Sequence, residues 1–146
     1  MGAAGRASSA AENLPARWID VDADAESVRA VVADAMARHD YTRHGADEAG
    51  VTTYRFGSPG AEFVSDALSL GLVLRMLGRP GGWAEIAVWT RPTPAGVRLT
   101  VGLMKGTFHA AKVRTLIVEL IEVFRADGTL LDASAPLSSV DLAVGA

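Results

Sequence analysis

At 146 residues, with 14 basic and 17 acidic side chains and a formal net charge of −3, the chain lacks the clustered basic excess that a nucleic-acid partner requires. Its 49% hydrophobic and 21% charged content, with a mean hydropathy of +0.21, fits one globular domain and excludes a wholly disordered chain. Cysteine is absent, which removes disulfides, thiolate metal sites and thiol nucleophiles.

Residues 1–14 are rich in Ala, Gly and Ser and are expected to form a flexible leader. They hold no apolar run of the length a secretory signal needs, and Arg6 stands where a myristoylation signal carries Ser or Thr. A cytoplasmic address is expected. Trp18-Ile19-Asp20-Val21-Asp22 alternates with the period of a half-buried strand, Ile19 and Val21 facing inward and Trp18 falling on the polar side. Asp24 is placed to cap a helix that runs to His39, its apolar stripe carried by Val28, Val31, Val32, Ala35 and Met36. Two short strands, Tyr41 to His44 and Val51 to Phe56, flank a Gly- and acid-rich connection.

After the break at Gly57-Ser58-Pro59-Gly60, Phe63, Ala67, Leu70, Leu74 and Leu77 recur on one helical stripe over Ala61 to Leu77. Residues 68–77 are apolar on nearly every side, yet this stretch carries Arg75 and is about half the roughly 20 residues a membrane span needs. Such a helix is expected to pack on its own domain with one face and on a ligand or second subunit with the other. Gly78 to Gly82 stop it. Strands follow over Trp83 to Thr90 and Val97 to Met104, joined by Arg91 to Gly96, and a closing helix repeats Val113, Leu116, Ile117, Leu120 and Phe124 until Asp127-Gly128. The pattern predicts an α+β domain over residues 15–131, in the order β-α-β-β-α-β-β-α, with a loosely held tail over 132–146. A two-layer antiparallel sheet with helices on one face is the expected packing, because each helix has one apolar stripe and each strand one apolar side.

The segment Trp18 to Val28, a strand running into an acidic, Val-containing helix start, resembles the opening of the START-like helix-grip superfamily, which includes polyketide cyclase-like proteins. The closing helix, Phe108 to Arg125, is similar in position to the one that lies across the curved sheet in that superfamily. The resemblance implies an apolar cavity between sheet and helix for a lipid-like or polyketide-like molecule. Five predicted strands are fewer than the superfamily usually has, and the resemblance assigns no catalytic residue.

Chemistry-bearing residues are sparse. His39, His44 and His109 have no metal-ligand spacing, there is no Gly-x-Ser-x-Gly elbow, and Gly78 to Gly82 lack the Lys-Ser/Thr of a phosphate loop, so no metal or cofactor is expected. Lys105-Gly106-Thr107-Phe108-His109 is the best polar cluster: Thr107 is placed to cap the closing helix, and Lys105, His109 and Lys112 lie near its exposed N–H groups as an anion site. Trp83 and Trp89 share one side of a strand and, with Phe63, Leu70, Leu74 and Phe108, are candidates to line an apolar groove. The leading reading is a soluble binding domain for an apolar or amphipathic small molecule. A cyclase-type enzyme, with Tyr54, Glu85 or His109 as acid or base, and a homodimerising module built on residues 68–77 are the rivals.

Overall fold

The computed structural model describes residues 13–47, 50–57 and 82–142. Their elements are strand β1 (Pro15–Val21), helix α1 (Ala25–Arg38), strands β2 (Thr42–Ala46) and β3 (Thr52–Phe56), and the long strands β4 (Ala84–Thr93) and β5 (Gly96–Lys105). A 3-10 turn, Thr107–His109, then leads into helix α2 (Ala110–Ala126), strands β6 (Leu130–Ala133) and β7 (Leu137–Ser138), and a second 3-10 turn, Ser139–Asp141. The predicted helix over Ala61 to Leu77, with Phe63, Leu70 and Leu74, lies outside the described residues.

Seven antiparallel strands form one sheet in the order β2-β3-β4-β5-β1-β6, with β7 continuing beside β1. The first strand therefore sits inside the sheet, between β5 and the last strands of the chain. Ile19 and Val21 of β1, Ile86 and Val88 of β4, and Leu99, Val101 and Leu103 of β5 face one buried cluster. Val28, Val32, Ala35 and Met36 of α1 and Val113, Leu116, Ile117, Leu120 and Phe124 of α2 belong to the same cluster, so the predicted helix stripes meet the sheet face that carries Ile19 and Val21. Each of the larger side chains, Ala35 excepted, contributes roughly 1.5–3 kcal/mol by leaving water. On the opposite face of the sheet, Val51, Ala87 and Trp89 form a smaller cluster with Met104 and Leu142 packed on it.

Three differences from the sequence pattern stand out. The hairpin between β4 and β5 is tight: Thr93 pairs with Gly96, so the turn is the two residues Pro94-Ala95 and the strands absorb Arg91, Pro92 and Thr93. Seven strands replace five, because the chain does not end its ordered part at residue 131. The segment expected to hang loosely instead runs antiparallel along β1, Ala133 opposite Ile19 and Ser138 opposite Pro15.

Where that ladder breaks, a serine closes it. Ser134 donates its N–H to the Trp18 carbonyl at 2.9 Å, its hydroxyl accepts from the Trp18 N–H at 3.1 Å, and its carbonyl accepts from Arg17 Nε at 2.8 Å. Ser139 then donates through its hydroxyl to the Leu103 carbonyl at 2.6 Å and through its N–H to the Leu14 carbonyl at 2.9 Å. These bonds are backbone-centred. Backbone groups are present at every residue, so the Ala- and Ser-rich composition carried no apolar signal of them. Among the described residues no helix is long and apolar enough to cross a membrane.

Candidate functional site

Helix α1 begins as its sequence requires, with the Asp24 carboxylate accepting from the Ser27 N–H at 3.2 Å. Its end is less ordinary. Asp40 adopts a left-handed conformation, φ +64°, while its N–H bonds the Ala37 carbonyl and the Tyr41 N–H bonds the Met36 carbonyl. That is a Schellman ending with Asp where glycine is usual, and it turns Tyr41 back under the helix and into the core.

The turn sets the helix and the β2–β3 hairpin apart. Ala30, Ala33 and Ala37 line the flank of α1 and, lacking long side chains, leave the space toward β2 and β3 unfilled. Two adjoining hollows result, of about 510 Å³ and about 240 Å³, which share Ala33, Arg43 and Tyr54. The larger runs past Ala37 to Asp40, Tyr41 and Thr42; the smaller adds Arg29, Ala30, Val32, Thr52 and Val88. Alanines make up much of the lining, and Arg29 and Arg43 belong to it.

Those two arginines differ from most of their neighbours. Arg98 grips Asp20 with two hydrogen bonds, at 2.7 and 3.0 Å, while its guanidinium stacks 3.9 Å over Trp18; Arg38 reaches Glu119 at 3.0 Å; Arg55 reaches Glu85 at 3.8 Å. Arg29 and Arg43 form no ion pair with any described residue. Burial pushes the Tyr54 phenol above its ordinary pKa, with the Arg43 charge pulling it back in part, so at neutral pH Tyr54 offers the groove an un-ionised O–H.

Behind the end wall of the groove lies a sealed polar pair. The Tyr41 hydroxyl and His109 Nδ1 are 2.7 Å apart, His109 is 0% exposed, and the rings of Tyr41 and Phe56 pack on its imidazole. Burial raises the Tyr41 phenol far above its usual range, so it keeps its proton and donates to Nδ1. The histidine is pushed down to about 4, first by burial and then by the Lys112 charge. The Gly82 backbone favours the protonated ring, but no hydrogen bond of ordinary geometry closes on Nε2, which has no partner among the described residues. Lys112 sits 5.1 Å from the Tyr41 ring centre and 4.9 Å from that of Phe56, held below its ordinary pKa by burial and partly restored by Asp40.

The anion cluster predicted at the closing helix does not converge. Gly106, at φ +92°, turns the chain so tightly that a Cβ there would stand 2.6 Å from the Trp83 carbonyl oxygen and 2.8 Å from the Ala84 Cα. A register shift between Glu85 and Ile86 also sets Lys105 opposite Glu85, with its ammonium 5.4 Å from the Trp83 ring, whereas Lys112 faces Tyr41 and Phe56. Thr107 is exposed and makes no cap, neither helix start here having a side-chain cap bond. His109 is core.

The apolar candidates divide as well. Trp89 is packed into the cluster with Val51 and Ala87, Trp83 is half-buried beneath Arg55 and Lys105, and Phe108 is 68% exposed. No group of three His, Cys, Asp or Glu capable of holding a metal occurs among the described residues. Sequence reasoning missed Arg29, Arg43 and Tyr41, and weighed Tyr54 only as an acid or base. The available signal was Ala30, Ala33 and Ala37 recurring at helical spacing beside the Val28-Val32 stripe.

Among the described residues, fold and site together define an α+β domain: one antiparallel sheet of seven strands, two helices, and an open groove between α1 and the β2–β3 hairpin. No family model, curated protein or solved structure matches the chain.

Proposed function

We propose that this protein is a small-molecule binding domain, a two-layer fold with α1 and α2 on one face of its sheet, whose groove between α1 and the β2–β3 hairpin takes an apolar or amphipathic molecule. One observation carries the reading: two adjoining hollows share Ala33, Arg43 and Tyr54, and their size falls in the range of ligand sites. The helix-grip resemblance implies a cavity beneath the closing helix, whereas this groove lies beside α1, so the resemblance supplies no residue for it. Nothing favours the cyclase reading over this one. Tyr54 lines the groove, Glu85 pairs with Arg55, and His109 is sealed, so the three nominated acids and bases do not share a site. The homodimer reading depends on residues 68–77, outside the described residues.

A neutral apolar dye such as Nile red tests the groove. Wild-type protein is expected to bind it saturably, and Ala33→Leu, which fills the floor from an exposed helix position, to weaken binding about tenfold or more. Absence of saturable binding, or equal binding by Ala33→Leu with its fold intact by circular dichroism, overturns the proposal.

A further inference from the structure

The groove is basic on one side and acidic on the other, with an apolar stretch between. Arg29 and Arg43 both line the smaller hollow, with the Tyr54 phenol shared between the two hollows. Neither guanidinium makes a close ion pair among the described residues, Arg29 acting on the Asp24 carboxylate only at longer range, whereas Arg38, Arg55 and Arg98 each contact a carboxylate. At the far end, beyond Ala33 and Ala37, stands Asp40. A guest therefore meets Arg29 in the smaller hollow, Arg43 and the Tyr54 phenol where the two hollows join, the methyl groups of Ala33 and Ala37 beyond, and Asp40 in the larger hollow.

We infer that the groove binds a monocarboxylate: a single anionic head between Arg29 and Arg43, with an apolar body lying over Ala33 and Ala37 toward Tyr41. The inference rests on the binding reading above and adds the chemical class of the ligand. Planar carboxylates suit guanidinium forks because both oxygens accept parallel hydrogen bonds, and the un-ionised Tyr54 hydroxyl supplies a further donor. Asp40 sets the polarity. A second carboxylate on the far end of the guest would face like charge, so dicarboxylates are discriminated against while a neutral tail is accepted. Both arginines work at a partly open site, so the preference weakens as added salt screens it.

The test compares cis-parinaric acid with its methyl ester, which keeps the fluorescent chain and removes the charge. Wild-type protein is expected to bind the acid about tenfold tighter than the ester at low salt, and the double variant Arg29→Gln/Arg43→Gln to bind both alike, at the wild-type affinity for the ester. Equal binding of acid and ester by the wild type, or a preference that survives in the double variant, overturns the monocarboxylate inference and leaves the groove reading standing. If neither probe binds saturably, both fall.

Discussion

His109 shows how one buried side chain ties this fold to pH. It is neutral when folded because its surroundings push its pKa down to about 4, whereas in the unfolded chain it titrates near the ordinary histidine value of about 6.5. Between those values the unfolded chain binds a proton that the folded protein refuses, so stability is full above pH ~6.5 and falls as the pH drops toward ~4, by about 3 kcal/mol from this residue. Urea unfolding across that range, for wild type and His109→Gln, is expected to give a shallower pH slope in the variant; parallel slopes would assign the acid loss to other groups. The sequence placed this histidine in a polar cluster at the start of the closing helix. Its partner, Tyr41, is remote in sequence and only the fold brings the two together.

At the scale of elements, helix ends and the last strand carry most of what is testable. Asp40 holds a left-handed conformation in which its Cβ is unfavourable, and glycine relieves it, so Asp40→Gly is expected to stabilise the protein by about 0.5–1 kcal/mol in thermal or denaturant unfolding. Gly128 already occupies the equivalent position after α2, at φ +74°, where the sequence pattern placed the helix stop. Ser134 is the opposite case. Its hydroxyl serves the Trp18 N–H where the ladder breaks, so Ser134→Ala is expected to cost about 1–2 kcal/mol, and a neutral result would mean water serves that N–H instead. Helices α1 and α2 were legible because burial repeats along them at a fixed spacing. Strands β6 and β7 were not, since their hold on β1 is a row of backbone bonds and Leu131, among the few large apolar residues there, is 49% exposed.

Across the whole molecule, the C-terminal chain closes what the N-terminal strand opens. β1 is an internal strand because β6 and β7 cover its second edge, and Leu142 reaches the second cluster on the other face. Ending the chain after Ala133 is expected to lower the denaturation midpoint and to expose Trp18 backbone amides to rapid hydrogen exchange; an unchanged midpoint would show that these residues add nothing to the cooperative unit. Both outer edges of the sheet carry irregular register, between Arg43 and Gly45 on β2 and opposite Asp20 and Val21 on β6, a device that discourages edge-to-edge pairing. The α+β class, the inward face of β1, the Asp24 cap of α1 and the Gly128 stop of α2 could be read from residue order alone, because periodic burial and such helix signals are local, whereas the start of α2 could not, Thr107 making no cap. Only the tertiary structure decided that Lys105 and Lys112 part company, that His109 is sealed behind Tyr41, and that Arg29 and Arg43 meet at a groove. Such neighbours are set by strand order, register and the space that small alanines leave open, and none of these is written in any one stretch of residues.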